Sequence, residues 1–357
     1  MAFCPNCGTE YEVLPARCQC GNLFGSPATE PLNPPSAEIP APSAALFDFR
    51  GEGGALLLLY FKLFMFSIYT LGIYSFWGRT AIRRYLWSNL KFSGKPFEYH
   101  GTGTELLLGW LMLIALLGVL YGSSFAAIAY LGKTAELAIS ILITLLFAML
   151  LPFAIHGAIR YRWSRTSWQG RRFAYRGDLM RMAIVFWSGV LLTIITLSLY
   201  FPFFLANMRR QVVDNTWYGG QQFRFSGDGK DLLWPYVKFL LLFLPTFTLY
   251  RFWFKAKLGN YRWNETSFAG SPFRSTLSGD GLLILTFTNA ILTFCTLGIG
   301  YPWAVCRQLR FVAENLQLTA LPRVQLVEQP GGADSAFGDT LGNVLGTDAG
   351  IDAGFGL

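Results

Sequence analysis

Four cysteines close to the N terminus are the residues of this chain best suited to metal chemistry. Residues 4–21 read "CPNCGTEYEVLPARCQCG", which places Cys4 and Cys7 in one pair and Cys18 and Cys20 in a second. Two close thiolate pairs separated by a short loop are typical of a tetrahedral Zn²⁺ site. Sulfur would fill all four coordination positions, so the spacing predicts a structural zinc ribbon over residues 1–21.

Two disulfides are the alternative interpretation of the same four cysteines. The opening "MAFCPNCGTE" lacks the basic start and apolar core of a cleavable signal peptide. We therefore expect the thiols to lie in the reducing cytosol, which favours Zn²⁺ over disulfides. Small ribbons also bind proteins or nucleic acid, and this one is a candidate site for a cytosolic protein partner.

The composition of the rest of the chain indicates a membrane protein. Of 357 residues, 53% are apolar, 17% aromatic and only 14% charged, whereas soluble globular proteins carry about 25% charge. Six apolar stretches reach or approach the ~20 residues needed to cross a bilayer. They lie near 54–77, 104–131, 135–155, 179–205, 231–254 and 281–303. The prediction is an all-α integral membrane fold with six spans.

Two segments of biased composition flank the apolar region. Residues 22–46 are rich in proline, alanine and serine, which predicts a disordered linker. Residues 328–357 are rich in glycine, alanine and aspartate, which predicts a disordered tail. The membrane domain is expected between them, over residues 47–327.

A repeat of about fifty residues organises that domain. Pro152, Pro202 and Pro302 are separated by multiples of fifty, and Phe252 occupies the remaining position. The first copy is offset, because Phe76 precedes its counterpart by seventy-six residues. The excess of twenty-six residues would form ~39 Å of helix, one further membrane crossing. The chain is therefore predicted to contain five tandem units, the second with one additional helix.

Each unit is expected to hold an apolar span, a basic interfacial helix and a short β-hairpin. Arginines interleaved with tyrosine and tryptophan follow each span, a pattern that favours contact with anionic lipid over contact with nucleic acid. The expected headgroup contacts are Arg83, Arg84, Arg160, Arg210 and Arg310. Phrases such as "LKFSGKPFEYHG" then predict hairpins with a glycine-led two-residue turn of type II′.

The recurring phrases "G-[IL]-x-x-[PF]-W", "R-Y-x-W-x-N-T-x-F-x-G" and "F-x-[FY]-x-G" resemble the YjgN family of bacterial inner-membrane proteins, whose function is unassigned. The resemblance covers about residues 47–320 and leaves out the ribbon and the tail. It implies a multi-pass protein of the bacterial inner membrane. It implies no catalytic residue.

No catalytic constellation is readable in the sequence. It contains two histidines, His100 and His156, and neither H-E-x-x-H nor G-x-S-x-G, so we expect no enzyme. The favoured function is a membrane scaffold or lipid-interacting protein that carries a structural zinc ribbon. The alternatives are a transporter or channel, which internal repeats favour, and a membrane sensor with the ribbon as its input domain.

Two lysines inside predicted spans mark a possible polar site. Lys62 and Lys238 are 176 residues apart, which puts them at the same place in their units, and Ser188 and Thr288 occupy that place in the third and fifth units. A lysine near the bilayer midplane costs at least ~2.5 kcal/mol unless it finds water or a partner. The four residues could line a shared cavity that binds an anion. Snorkelling of the lysines to the interface is the alternative.

The predicted orientation contains a conflict. The ribbon favours both termini in the cytosol, but six spans would then place fifteen Lys and Arg residues outside and ten inside. That distribution opposes the positive-inside rule. Re-entrant apolar blocks, which would keep every basic segment on one face, are the alternative.

Overall fold

The structure is a computed structural model that describes residues 2–3, 10–11, 45–132 and 136–320. In the N-terminal unit, residues 1–43, strand β1 (Ala2–Phe3) pairs antiparallel with β2 (Glu10–Tyr11). Every other element belongs to the unit of residues 44–357. The predicted zinc ligands, most of the predicted linker and the predicted tail lie outside the described residues.

Five helical hairpins make up most of the larger unit. In each, a first helix leads through a short turn into a second helix that packs against it. The first helices are α1 (Gly53–Tyr69), α3 (Gly103–Leu131), α5 (Leu179–Ile195), α7 (Gly229–Phe243) and α9 (Gly279–Cys295). The second helices are α2 (Ser75–Asn89), α4 (Glu136–Ser164), α6 (Phe201–Val213), α8 (Arg251–Asn264) and α10 (Tyr301–Glu314).

Ten short strands connect these hairpins into a closed antiparallel barrel. They are β3 (Ala45–Phe49), β4 (Leu90–Phe92), β5 (Lys95–Tyr99), β6 (Thr166–Trp168), β7 (Arg171–Tyr175), β8 (Thr216–Tyr218), β9 (Gln221–Phe225), β10 (Thr266–Phe268), β11 (Ser271–Ser275) and β12 (Leu316–Leu318). Each strand pairs with the next along the chain, and β12 pairs with β3. The predicted all-α fold is therefore wrong.

Pairing between neighbouring hairpins accounts for the closure of the barrel. A lone two-stranded hairpin is marginally stable and leaves two unpaired edges. Here β5 pairs with β6, β7 with β8 and β9 with β10, so each hairpin covers the edges of its neighbours. The last gap closes where Leu318 pairs with Ala45, from opposite ends of the unit. Full closure leaves no strand edge exposed.

The hairpin turns differ from the prediction in type and register. The first turn consists of Ser93 and Gly94, with φ of 49° and 78°. Positive φ at both central residues defines a type I′ turn, so the predicted type II′ turn is wrong. Glycine is the second residue of the loop, whereas the prediction made it the first. The other three hairpin turns repeat this geometry at 169–170, 219–220 and 269–270.

Aromatic side chains fill the barrel. Phe97, Phe173, Phe223 and Phe273 are equivalent residues of four successive units, and neighbouring ring centroids lie 6.3–6.4 Å apart. Their backbones are two strands apart, a separation of about 10 Å. The rings are closer together than the strands that carry them, so the side chains converge on the barrel axis. A second aromatic layer joins Trp168 to its neighbours at 5.1 and 5.6 Å.

The outer face of the barrel is polar, and the helices all leave from one end. Glu98, Arg224 and Arg274 point outward and are exposed. Each second helix runs into the first strand of its hairpin, and each first helix follows the second strand. The four tight β-turns therefore lie at one end of the barrel and the helical hairpins at the other. Successive helices pack side by side, and α10 packs against α1, which closes the ring.

The prediction of six spans is not supported by the helix lengths. Four of the apolar blocks, such as 54–77, contain a first helix, a turn and the start of a second helix. In the described residues, two helices are long and apolar enough to cross a membrane, Gly103–Ala127 and Glu136–Ser164. The twenty-six-residue insertion does not add a helix, because it lengthens both helices of the second unit. Pro202 and Pro302 accordingly lie in the first turn of their helices, whereas Pro152 lies inside α4.

Candidate membrane surface and barrel mouth

The four short hairpins end in exposed, apolar tips. At each tip two consecutive residues adopt positive φ, beginning with a large apolar residue. That residue is Leu71, Leu197, Phe247 or Leu297, and its side chain is 95%, 88%, 87% or 93% exposed. Positive φ is strained for such residues, and large apolar side chains avoid water. Apolar surroundings are the natural environment for these tips.

A threonine satisfies the backbone at each tip. The Thr196 Oγ1 donates to the carbonyl oxygen of Leu192 at 2.7 Å and accepts from the backbone N–H of Tyr200 at 2.9 Å. It thus links the end of α5 to the start of α6. The backbone N–H groups of residues 196–201 all have a partner, five of them a backbone carbonyl. No backbone donor of this turn needs water.

The other short hairpins repeat this arrangement. Each has a threonine two residues before its second positive-φ residue, and the hydroxyl of that threonine bridges the two helices. The bridging residues are Thr70, Thr246 and Thr296. The backbone N–H groups of residues 70–75, 246–251 and 296–301 are likewise all bonded. A turn of this kind can be buried in hydrocarbon, where unsatisfied backbone groups are costly.

The long hairpin of α3 and α4 carries no such tip sequence. Its helices have 29 residues each, and the connection reads "GKTAE". Gly132 has a positive φ of 76°, and residues 133–135 lie outside the described part. The sequence of the connection contains a lysine, and α4 begins with Glu136, so this composition suits water. Apolar side chains such as Phe125 and Leu137 are exposed along both helices.

The four residues of the predicted polar site lie on four different first helices. Lys62 and Lys238 are exposed among apolar neighbours, and the Lys62 Nζ lies 6.0 Å from the centre of the Phe66 ring. The Ser188 hydroxyl donates to a carbonyl of its own helix, and the Thr288 hydroxyl accepts from Arg307 at 3.1 Å. No hydrogen bond or ion pair of the described residues joins any two of the four. Their shared cavity remains a prediction.

The predicted headgroup arginines have a second role within the ring. Arg84 donates to the carbonyl oxygen of Gly101 at 3.4 Å, and Arg210 donates to that of Gly227 at 2.8 Å. Both carbonyls precede the first helix of the next unit, so these arginines connect neighbouring units. Arg160 and Arg310 are also exposed, and Arg83 is half-buried. Contact of these five residues with lipid headgroups remains a prediction.

Three tryptophans cover the end of the barrel that faces the helices. Trp87, Trp163 and Trp263 lie near the C-terminal ends of second helices. Their rings are 5.6, 5.2 and 5.3 Å from the inward rings of Phe97, Phe173 and Phe273, respectively. We call this end, with its three tryptophans, the barrel mouth. The second-helix face that carries them therefore points toward the barrel axis.

Arg209 lies at the barrel mouth and is not one of the five predicted headgroup contacts. Its guanidinium carbon lies 5.4 Å from the centre of the Trp263 ring. Its Nε is buried and has no hydrogen-bond partner among the described residues. Burial, and to a lesser extent the neighbouring Arg262, lower the pKa of Arg209 from its usual value to about 9. The group stays charged at neutral pH, since guanidinium is not deprotonated there.

A signal for Arg209 was present in the repeat. It lies one residue before Arg210, which was predicted to contact lipid, and four residues before Val213, the counterpart of Trp263. Residues four apart share a helix face. Alignment of the units would thus have placed Arg209 on the helix face that carries the tryptophans.

A histidine, a serine and a carboxylate meet on the outer face of the barrel. The His100 Nε2 lies 2.7 Å from the Ser167 Oγ and 3.5 Å from the Glu98 Oε2, and the Ser167 hydroxyl is 3.2 Å from the same carboxylate. In a catalytic triad the acid contacts the ring nitrogen opposite the serine. Here both groups contact one nitrogen, so the cluster is not arranged as a triad.

Comparisons with known proteins agree with the resemblance noted in the sequence. A family described as "Bacterial protein of unknown function (DUF898)" matches residues 44–252 and 232–344. "Inner membrane protein YjgN" of Salmonella typhimurium is 29% identical over 137 residues, 37% of this chain and 32% of that protein. Its counterpart in Escherichia coli K12 is 29% identical over 138 residues, 39% of this chain and 32% of that protein.

The matched part is about a third of the length of these relatives. No solved structure matches the chain.

Proposed function

Because the chain belongs to the DUF898 family of bacterial proteins of unknown function, we propose its function from its own geometry: it is an inner-membrane scaffold or lipid-interacting protein that embeds its helical hairpins from one side. The relatives named as inner membrane proteins support the location. In this arrangement the four short hairpins enter one leaflet, the long hairpin crosses the bilayer, and the barrel stays in water.

The helix lengths support these depths. At 1.5 Å per residue, α3 with its 29 residues is about 43 Å long and α1 with its 17 residues about 25 Å. With the helices near the membrane normal, a short tip ends about 18 Å before the long one. If the long hairpin crosses the ~30 Å hydrocarbon core and its tip just emerges on the far side, the short tips stop near the middle of the core. The first ~13 Å of every hairpin then lies outside the core.

The observation that carries the proposal is the chemistry of the short tips. Their large side chains are apolar and exposed. Their backbone donors are all bonded, one in each tip to the bridging threonine and the others to backbone carbonyls. A turn at a water interface needs neither property, because water satisfies backbone groups. Irregular backbone within hydrocarbon needs both.

The polar residues of the first helices fit these depths. Lys62, Ser188, Lys238 and Thr288 each lie nine residues after the start of their helix, about 13 Å from its base. That is the boundary between headgroups and core, where a lysine can extend into the headgroup layer. Arg251, in the first turn of α8, lies deeper, and its guanidinium stacks over the Phe252 ring at 4.8 Å.

The same arrangement would remove the conflict between the ribbon and the positive-inside rule. The barrel and the basic ends of all second helices share one side of the membrane, as the re-entrant alternative requires. The positive-inside rule then favours the cytosol for that side. The first and last barrel strands, β3 and β12, lie at the two ends of the described part of the larger unit. A cytosolic barrel therefore agrees with a ribbon in a reducing compartment. Exposed arginines such as Arg84 and Arg310 lie at headgroup depth, where they attract anionic lipid.

The zinc ribbon and its cytosolic partner are part of the proposal. One Zn²⁺ bound by Cys4, Cys7, Cys18 and Cys20 would order residues 1–21 and present them to a protein. Elemental analysis of the purified full chain should find one zinc per molecule, and a Cys4→Ser/Cys18→Ser variant should lose it. A wild-type protein without stoichiometric zinc would refute the site.

We prefer lipid interaction to transport because aromatic rings fill the barrel axis and Lys62 and Lys238 face outward. Purified protein should be reconstituted into vesicles of phosphatidylcholine with and without phosphatidylglycerol. We expect incorporation to increase with the anionic lipid and solute efflux to match that of protein-free vesicles. Efflux well above that background would favour the channel, and indifference to lipid charge would refute headgroup recognition.

A further inference from the structure

One cationic side chain at the barrel mouth, Arg209, has no acidic partner among the described residues. Arg209 stacks on Trp263 and lies close enough to Arg262 to be repelled by it. Among the described residues no hydrogen bond or ion pair engages its guanidinium, and its Nε is buried. A buried charge without an opposite charge is costly. A structural arginine would be expected to have a carboxylate or carbonyl partner, as Arg165 has in Glu105 at 2.6 Å.

The repeat places further arginines on the same helix face. Arg83 is the counterpart of Arg209 in the first unit, and Arg162 is the counterpart of Arg262 in the second. At these two positions the five units carry arginine, leucine, isoleucine, valine or glycine, and none carries an acidic residue. The face is therefore either cationic or apolar. In the fifth unit Leu309 takes the place of Arg209 and packs into the aromatic core.

We propose that the barrel mouth is an anion site in which Arg209, supported by Trp263 and Arg262, binds a phosphate group. Guanidinium groups bind phosphate through paired N–H donors, and such charge-assisted bonds are stronger than neutral ones. The phosphate could come from a phospholipid headgroup or from a free anion. The site is independent of how deeply the hairpins insert, so its test can fail without affecting the proposed membrane arrangement.

The test uses the full chain in detergent and three proteins: wild type, Arg209→Met and Arg224→Met. Arg224 is a matched control because it is exposed on the outer face of the barrel. The melting temperature of each protein is measured without added ligand, with inorganic phosphate, and with phosphatidylglycerol or phosphatidylcholine added to the micelles. Wild type and Arg224→Met should be stabilised by inorganic phosphate or by phosphatidylglycerol. Arg209→Met should bind the same anion with an affinity reduced roughly tenfold or more.

The added ligands distinguish the two sources of phosphate. Stabilisation by inorganic phosphate identifies a free anion, whereas stabilisation that requires phosphatidylglycerol identifies a headgroup; either result supports the site. Without ligand, Arg209→Met should melt at or above the wild-type temperature, because it removes an uncompensated charge. The proposal is overturned if neither anion stabilises wild type, if Arg209→Met responds like wild type, or if that variant alone melts several degrees lower.

Discussion

The four short hairpins and the one long hairpin start from the same barrel and reverse direction by different means. The short ones turn after 15–17 residues of first helix, at an apolar residue with positive φ and a bridging threonine. The long one continues for 29 residues and turns at "GKTAE". One repeat unit thus occurs in two versions within a single chain.

The difference shows what a turn needs at each depth. A tip that stops inside hydrocarbon must bond its own backbone groups. In each short hairpin, backbone carbonyls and the threonine hydroxyl together bond all the N–H groups of the turn. A tip that reaches water on the far side needs only length and polar residues. The insertion of twenty-six residues replaces the short apolar turn by the longer hairpin with a polar connection in one of the five units. In the proposed arrangement this one hairpin anchors the ring across the bilayer.

The largest effect is expected from a charge at a short tip. Leu71→Asp together with Leu297→Asp would place two carboxylates near the centre of the hydrocarbon core of the membrane. Each would raise the free energy of insertion by roughly 2.5–3.5 kcal/mol. We expect the variant to be lost from the membrane fraction or degraded. Lys133→Asp, in the turn of the long hairpin, should be neutral. The readout is the amount of protein that resists alkaline extraction of membranes.

This comparison would fail in either of two ways. Normal amounts of the double aspartate variant would show that the short tips lie in water. A loss caused by Lys133→Asp would show that the long turn is buried instead.

A smaller effect is expected from the bridging threonine. Thr196→Val leaves the N–H of Tyr200 unpaired, at a cost of about 1–3 kcal/mol. Thr193 is the matched control, because its hydroxyl bonds only to the Gly189 carbonyl, at 2.7 Å within the same helix. Thr193→Val should change stability by no more than about 0.5 kcal/mol. Unfolding of the purified proteins by sodium dodecyl sulfate gives both values, and equal losses would refute the bridging role.

The smallest effect on stability is expected from Lys62 and Lys238, which the proposed arrangement places at headgroup depth. Lys62→Leu with Lys238→Leu should leave insertion intact and weaken association with phosphatidylglycerol vesicles, by about 1 kcal/mol for each charge near the surface. Lys91→Leu, on the outer face of the barrel, serves as the control. Complete loss of anion binding would instead favour the shared cavity, and unchanged binding would exclude a headgroup role for both lysines.

The period of the sequence predicted five units with a β-hairpin in each. Four units of the described chain have one, whereas in the fifth unit β12 pairs with β3. The period did not predict this closure. The phrase "ALFDF" at 45–49 is a further copy of the second hairpin strand, and its partner "LQL" lies at 316–318. That pairing joins Leu318 to Ala45 across the whole unit, and local periodicity carries no information about such a distant contact. The strand phrase before α1 was nevertheless a readable sign of a missing partner.

Hydropathy failed at the short hairpins for a related reason. Residues 54–77 remain apolar through the turn at Leu71 and Gly72, so an average over the stretch reads two helices as one. The turn is marked by its backbone conformation and not by polar residues. The recurrence of threonine one residue before Leu71, Leu197, Phe247 and Leu297 was the available signal. For Arg209 the missing information was which helix face points to the axis, which only the barrel supplies.

Cysteine accessibility tests the central claim most directly. Single cysteines at Leu71, Ser93 and Lys133, in a cysteine-free background, are treated in intact cells and in inverted vesicles with an impermeant maleimide. We predict labelling of position 93 from the cytosolic side only, of position 133 from the periplasmic side only, and of position 71 from neither side until the membrane is dissolved. Labelling of position 93 or 71 from the periplasm would contradict the account.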